Sequence, residues 1–152
     1  MKFVGAIKEL RCFNQMVSEI DAVYHETAKN LGLSDSEQHI LYAICNLGTP
    51  CLLSEIVRFS ATSKQTINSA MRKMEREGIL VLEAASGRKK QVLLTEKGEK
   101  LLQETVLQVV EIENEIYDEW SEEKVAIYLE LTQEYLTTFR EKTKNIKRRE
   151  EV

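Results

Sequence analysis

Apolar side chains recur every three or four residues over most of the chain, which is the spacing of one helix face. This spacing predicts a long first helix over residues 6–30. Ser34 followed by Glu37 forms a capping box and predicts the start of a second helix, which ends at the Gly-Thr-Pro run 48–50. A short third helix is predicted over residues 51–60.

Three further helices and a hairpin are predicted in the rest of the chain. Ser63 is suited to cap a fourth helix over residues 64–77, which Gly78 closes. Two β-like runs at 79–82 and 91–94 enclose a basic segment with a glycine for the turn, which predicts a β-hairpin. Later helices are expected from Thr95 to Trp120 and from Ser121 to Ile146, with a frayed tail over 147–152.

The third helix has a predicted cap and a predicted buried face. Ser54 is the expected N-cap, and Leu53, Ile56, Val57 and Phe59 are expected to point into the core. Two short helices followed by a hairpin are the order of a winged helix-turn-helix. The predicted fold class is therefore mostly α with a small β-hairpin wing. We expect a winged DNA-binding lobe over 34–95 and dimerisation helices over 1–33 and 96–146.

Composition and charge narrow the class of protein. An apolar content of 43% and a charged content of 30% are typical of a globular domain, and no apolar stretch reaches the ~18 residues of a membrane helix. The start lacks the apolar core of a signal peptide, so a cytoplasmic protein that contacts no membrane is expected. The net charge is −4, yet residues 52–90 hold eight basic and four acidic residues. This basic block favours a phosphate-facing surface.

The fourth helix carries the candidate DNA-contacting residues. Ile67, Ala70, Met71 and Met74 form one apolar stripe, and the opposite face is rich in hydrogen-bond donors. Gln65 and Asn68 suit base edges, Arg72 suits a guanine, and Lys64 and Lys73 suit phosphates. The residues assigned to DNA on this element are Ser63, Lys64, Gln65, Thr66, Asn68, Ser69, Arg72, Lys73 and Arg76.

The predicted hairpin adds a second basic element. Arg88, Lys89 and Lys90 lie at its tip, where an arginine can enter a narrow minor groove. Two basic elements joined by two short strands are together more specific than either alone. They favour a double-stranded DNA partner.

The run SEIVRFSATSKQTINSAMRKMEREGIL, followed by a basic hairpin and by LLTEKGEKL, resembles the MarR family of bacterial transcription regulators. The resemblance implies a triangular homodimer whose first, fifth and sixth helices intertwine, and a repressor that binds palindromic DNA. It also implies that the fourth helix recognises the operator and that Arg88 is the minor-groove arginine. Two positions depart from the family pattern. Ser86 replaces an aspartate of the wing, and Ser60-Ala61-Thr62 occupies the turn that often has a glycine, at little cost if Ser60 or Ala61 avoids the left-handed region.

Regulators of this family often respond to small phenolic molecules, to oxidation or to zinc. Cys12 lies near the position of an oxidation-sensing cysteine, but its alignment favours an ordinary buried cysteine. His39 aligns with a zinc-sensing histidine, but with two histidines in the chain no metal or other cofactor is expected. A small aromatic effector is the remaining candidate, with Tyr24, His25, His39 and Tyr42 as its contacts.

The last two predicted helices present more apolar positions than one small lobe needs, which favours a homodimer. Two other classes of protein compete with a DNA-binding regulator. A winged helix that binds protein fits the acidic total charge, whereas the donor-rich face of the fourth helix argues against it. An enzyme is not expected, because the sequence has no glycine-rich phosphate loop, nucleophile elbow or histidine metal cluster.

Overall fold

A computed structural model describes residues 5–146, and the tail predicted to fray lies outside the described residues. The chain forms two compact units, the first ending at Val110 and the second beginning at Glu111. Helices dominate, and one small antiparallel sheet accompanies them, so the predicted fold class is confirmed.

Seven helices and three strands are found in the described part of the chain. The helices are α1 (Lys8–Asn30), α2 (Asp35–Leu47), α3 (Leu53–Ser60), α4 (Lys64–Arg76), α5 (Glu96–Glu104), α6 (Val106–Asp118) and α7 (Glu122–Thr143). The strands are β1 (Cys51–Leu52), β2 (Leu80–Ala84) and β3 (Lys90–Leu94).

Most helices begin at the polar residues that the sequence indicated. The hydroxyl of Ser34 accepts a hydrogen bond from the Glu37 amide, and the Glu37 carboxylate accepts one from the Ser34 amide, which completes the capping box. Ser63, Thr95 and Ser121 each accept a hydrogen bond from the amide three residues later. These caps satisfy amides that the first helical turn leaves unpaired.

The start of the third helix differs from the prediction. Cys51 and Leu52 form a strand, because Cys51 pairs with Val92 of β3, and the helix begins only at Leu53. Leu52 is the N-cap residue in place of Ser54, and its amide donates to the Glu55 carboxylate at 3.0 Å. Phe59 is also not buried as predicted, since it is 44% exposed.

The sheet has the strand order β1-β3-β2, and both pairings are antiparallel. Strands β2 and β3 pair from Leu80–Leu94 to Ala84–Lys90, so Ala84 and Lys90 belong to strands and not to the predicted loop. At the tip, the Ala85 amide donates to the Lys89 carbonyl at 2.9 Å. Gly87 has a φ of +65°, which a residue without a Cβ adopts at no steric cost.

The core lies between the helices and the sheet of the first unit. Ile67, Met71 and Met74 of α4 are buried as predicted, whereas Ala70 is partly buried. Gly98 of α5 lies so close to the Ile79 carbonyl that a Cβ there would collide with it. The largest fully buried side chains are Ile40, Leu41, Ile56, Ile67, Met71, Met74, Leu80, Val92 and Val106.

The predicted fifth helix is interrupted at Thr105, which has φ −129° and ψ −93°. The Thr105 hydroxyl donates to the Leu101 carbonyl at 2.5 Å, a backbone contact that bends helices. Two helices, α5 and α6, therefore replace the single one expected from Thr95 to Trp120.

The second unit contains α7, which ends at Thr143, three residues before the predicted end. Tyr117, Trp120 and Tyr128 pack edge to face or at a tilt, with ring centroids 5.3–6.4 Å apart. Within residues 5–146, no helix is long and apolar enough to cross a membrane.

Candidate nucleic-acid interface

Helix α4 is held by its buried side and presents its polar side to solvent. The Ser63 hydroxyl accepts from the Thr66 amide at 3.2 Å and lies 2.7 Å from the Thr66 hydroxyl. Both residues are thus used in the cap, which aligns the first amides of the helix along its axis. A helix N-terminus of this kind attracts anions such as phosphates.

The polar face of α4 and the basic hairpin enclose one depression of about 550 Å³, which we call the basic groove. Six of the twelve residues predicted to contact DNA line it, three from α4 and three from the hairpin. They are Lys64, Asn68, Arg72, Arg88, Lys89 and Lys90. The other lining residues are Leu53, Ser54 and Val57 of α3, Met71 and Leu82.

The basic groove is strongly positive. Five of its lining residues are lysine or arginine, and none is acidic. In the described part of the chain, the ion pairs engage His25, Lys73 and Lys100, so the five cations of the groove have no carboxylate partner. Like charges held close together in this way repel one another, and a polyanion relieves that repulsion.

The other predicted contacts have different surroundings. Gln65, Ser69 and Arg76 are exposed on α4 but do not line the basic groove. Lys73 is turned toward α2, where its ammonium lies 2.8 Å from a carboxylate oxygen of Glu37. A second carboxylate, that of Glu77, lies 3.8 Å away.

The Glu37–Lys73 pair was missed in the sequence because its members are 36 residues apart. Burial alone would raise the pKa of Glu37, but hydrogen bonds from Lys73 and Ser34 outweigh it and lower the pKa. The hydrogen bond to Glu37 raises the pKa of Lys73 in turn. Both pKa shifts favour the charged forms of the two side chains, as expected for an ion pair.

The turn between α3 and α4 contains a strained residue. Ala61 has a φ of +51° and a ψ of +21°, the left-handed region, so the condition for a low-cost turn without glycine is not met at Ala61. Thr62 stabilises this turn through its hydroxyl, which donates to the Ser60 carbonyl at 3.2 Å. The same hydroxyl lies 3.3 Å from Nδ1 of His39 on α2.

A second cavity of about 510 Å³ lies among α1, α2 and α3, and we call it the aromatic pocket. It contains all four residues predicted to contact an effector. Tyr24 and Tyr42 meet edge to face at 6.1 Å between ring centroids, and Phe59 lies 6.2 Å from Tyr42. The lining residues are Asp21, Tyr24, His25, Asp35, Gln38, His39, Tyr42, Phe59 and Ser60.

Two polar features of the aromatic pocket stand out. Nδ1 of His25 lies 2.8 and 2.9 Å from the two carboxylate oxygens of Asp35. Gln38 is only 4% exposed, and its Nε2 is buried without a hydrogen-bond partner among the described residues. A buried amide donor without a partner is unfavourable. Gln38 was not among the predicted contacts, because its burial depends on the folded chain.

The cysteines differ from one another in environment. Cys12 is exposed on α1, contrary to the prediction of a buried cysteine, because none of the described residues covers that face. Cys51 is buried, and burial together with the nearby Glu55 raises its pKa to about 11. Among residues 5–146, no cluster of His, Cys, Asp and Glu is suited to hold a metal ion.

Comparison with known proteins relates part of the chain to one protein family. The model of the MarR family matches residues 31–91, which span α2, the helix-turn-helix and most of the hairpin. No curated protein sequence matches the chain significantly.

Solved structures share the fold at low sequence identity. S. aureus MepR in its DNA-binding conformation is 18% identical, with a TM-score of 0.69 over 88% of this chain and 99% of MepR. The S. aureus MepR–DNA complex has 16% identity and a TM-score of 0.65 over the same shares. NadR in complex with 4-hydroxyphenylacetate is 17% identical, with a TM-score of 0.67 over 88% of this chain and 96% of NadR.

The family match and the shared fold agree with the resemblance found in the sequence. The matched segment contains both elements that line the basic groove, apart from part of the β3 strand. Residues 31–91 therefore match the MarR family model, and the chain shares the fold of the solved MepR and NadR structures.

Proposed function

We propose that this protein is a repressor that binds palindromic operator DNA as a homodimer. The observation that carries the proposal is the basic groove, where the polar face of α4 and the hairpin tip line the same depression. Helix α4 then enters the major groove, and Arg88 enters the neighbouring minor groove. This is the docking mode of winged helix-turn-helix proteins, in which phosphate contacts position the protein and base contacts specify the site.

The side chains of the groove divide by chemistry. Asn68 offers an amide that pairs with the edge of adenine, and Arg72 offers the donor fork that fits guanine. Lys64, Lys89 and Lys90 supply point charges for phosphates. Gln65, Ser69 and Arg76 are exposed along α4, so they remain available to the flanking backbone.

A homodimer is supported by exposed apolar side chains in both units. On α1, Phe13, Met16 and Ile20 are exposed in the single chain. On α7, Ile127, Leu131, Tyr135 and Phe139 are exposed as well. Apolar surface of this extent marks an interface in a soluble protein. A second copy of the chain is the partner we propose for it.

The test is the affinity for duplex DNA from upstream of the protein's own gene, measured by fluorescence anisotropy over a salt series. We expect the affinity to fall steeply between about 50 and 200 mM salt, because bound lysines and arginines release counterions. Arg72→Ala should weaken binding, whereas Arg140→Ala, an exposed arginine of α7, should not. Affinity insensitive to both salt and Arg72→Ala would contradict DNA recognition and favour a protein-binding winged helix.

We also propose that the aromatic pocket binds a small aromatic effector that releases the protein from DNA. The observation that favours this role is the unpartnered Nε2 of Gln38 beside the rings of Tyr24, Tyr42 and Phe59. The volume of the pocket lies within the usual range of ligand pockets, about 300–1,000 Å³. The effector would stack on the rings and accept a hydrogen bond from Gln38.

Calorimetric titration with 4-hydroxyphenylacetate, the ligand in the NadR complex, is a suitable first probe. We expect Gln38→Met to weaken its binding about tenfold, the scale of one lost hydrogen bond to a charged group. The matched control is Gln91→Met on β3, which makes the same substitution outside the aromatic pocket and should bind like the wild type. Equal binding by wild type and Gln38→Met would exclude the proposed contact.

A further inference from the structure

Lys73 is a basic residue on the polar face of α4, yet it does not line the basic groove. Lys64, Asn68 and Arg72 follow one another at intervals of four residues and share the groove side of the helix. Lys73 is one residue, or about 100°, further around the helix. Its ammonium lies 2.8 Å from Oε1 of Glu37 on α2.

Glu37 is held on both sides of its carboxylate. While Oε1 accepts from Lys73, Oε2 accepts from the Ser34 amide at 2.8 Å, within the capping box of α2. The Glu37 side chain is 11% exposed and that of Lys73 is 51% exposed. A carboxylate with so little solvent strongly requires a cationic partner, because an unpaired buried charge is costly. Lys73 is therefore bound to α2.

We propose that Lys73 is a positioning residue that joins α4 to the first turn of α2 and does not contact a DNA phosphate. The pair fixes the rotation of α4 about its axis, so that Lys64, Asn68 and Arg72 face the hairpin across the basic groove. This inference rests on the DNA-binding function proposed above. Side chains that recognise a ligand need such supporting contacts to keep their geometry.

The Glu37→Gln variant distinguishes a positioning role of the Glu37–Lys73 pair from a purely electrostatic one. If the pair had no role in positioning, Glu37→Gln would remove a negative charge near DNA and strengthen binding. If the pair holds α4 in place, the same substitution weakens binding. The two accounts thus predict opposite signs for one variant.

The experiment measures operator affinity across a salt series for the full-length wild type, Lys73→Met, Glu37→Gln, the double variant and the matched control Lys64→Met. Each lost phosphate contact lowers the slope of log affinity against log salt by about 0.9. We expect Lys64→Met to lower the slope by about this amount. Lys73→Met should keep the wild-type slope while its affinity falls roughly fivefold or more at every salt concentration.

Glu37→Gln should weaken binding by a similar factor, and the double variant should bind no worse than the weaker single variant, since one contact is lost in each. Melting curves by circular dichroism verify that each variant is folded at the assay temperature. If Glu37→Gln does not fold, the slope of log affinity against log salt for Lys73→Met is the measurement that tests the inference.

A slope lowered by about one unit in Lys73→Met, as in Lys64→Met, would overturn the inference and return Lys73 to the phosphate contacts. Stronger binding by Glu37→Gln would also overturn it. Both results leave the proposed function intact. Wild-type protein without salt-dependent DNA binding would instead overturn the proposed function, and the inference with it.

Discussion

Ala61 connects the two helices of the helix-turn-helix in a conformation that L-residues rarely adopt. Its Cβ costs roughly 1–2 kcal/mol in the left-handed region, whereas glycine costs about 0.5–1 kcal/mol in chain entropy. The residue is exposed, so a glycine would leave no cavity. The turn therefore retains strain that a single substitution can remove.

We predict that Ala61→Gly raises the free energy of unfolding by about 0.5–1 kcal/mol, the balance of these two effects. Urea denaturation with a common m-value is the measurement. Ala70→Gly, inside α4, is the control and should destabilise the protein by about 1 kcal/mol, the helix propensity difference. A loss of stability in Ala61→Gly as large as that in Ala70→Gly would contradict the prediction.

Glu37 makes the stability depend on acidic pH. Its pKa is lowered in the folded state from a reference value of 4.5, so its ionised form is the one that the fold stabilises. Such a carboxyl contributes stability above its unfolded pKa, and that contribution is lost as the pH falls through the folded pKa. The pH range in which Glu37 loses its contribution to stability therefore lies below about pH 4.5.

We predict that the wild type is more stable than Glu37→Gln at pH 7 and that this difference shrinks as the pH is lowered below 4.5. Urea midpoints of both proteins, measured from neutral to strongly acidic pH, test it. Glu134→Gln, at an exposed position of α7, is the control and should show no comparable change. A difference that stays constant with pH would rule out Glu37 as the titrating group.

Elements whose ends are specified by neighbouring residues were predictable from the sequence. Ser34, Ser63, Thr95 and Ser121 cap helices as expected, because the cap and the amide that it binds are three residues apart. Strand β1 was not predictable, because its two residues are extended only through pairing with the distant strand β3.

Other features depended on side-chain contacts that a pattern does not contain. Thr105 has the apolar neighbours of a continuous helix, and side-chain hydrogen bonds from Thr105 to the Leu101 carbonyl and from Gln108 to the Glu104 carbonyl accompany the break. Lys73 has the sequence environment of a phosphate ligand, but the folded chain brings it to Glu37.

At the scale of the element, we predict that the tip of the hairpin contacts DNA. Arg88→Ala should weaken operator binding by ~1–3 kcal/mol, the usual scale for one lost specific contact. Fluorescence anisotropy with a fixed operator measures the change, and Arg140→Ala is the matched control. Unchanged affinity would mean that the hairpin tip does not touch DNA, even though it lines the basic groove.

The whole molecule combines a basic groove with an acidic remainder. Residues 96–135 hold twelve acidic and three basic residues, against eight basic and four acidic in 52–90. This division gives the two segments net charges of opposite sign, and it was visible in the sequence. The sequence did not show that Gln38 lines the aromatic pocket, because burial of a polar residue follows from packing.

For the whole molecule we predict a dimer in solution. Sedimentation equilibrium should give twice the chain mass of 17.5 kDa. Leu131→Glu, which places a charge at a position 60% exposed in the single chain, should lower the dimer fraction and the operator affinity together. Glu130→Gln is the control at the neighbouring position. A wild-type mass of one chain at micromolar concentration would contradict the homodimer.

The central claim is that α4 and the hairpin of each subunit face one duplex. Selection of bound sequences from random double-stranded DNA by the wild-type protein tests it most directly. We expect enrichment of a palindrome whose half-sites lie about 10–10.5 base pairs apart, or a multiple of that spacing, because two-fold protein symmetry is matched in the operator. No enriched sequence, or a single half-site without its inverted repeat, would contradict the claim.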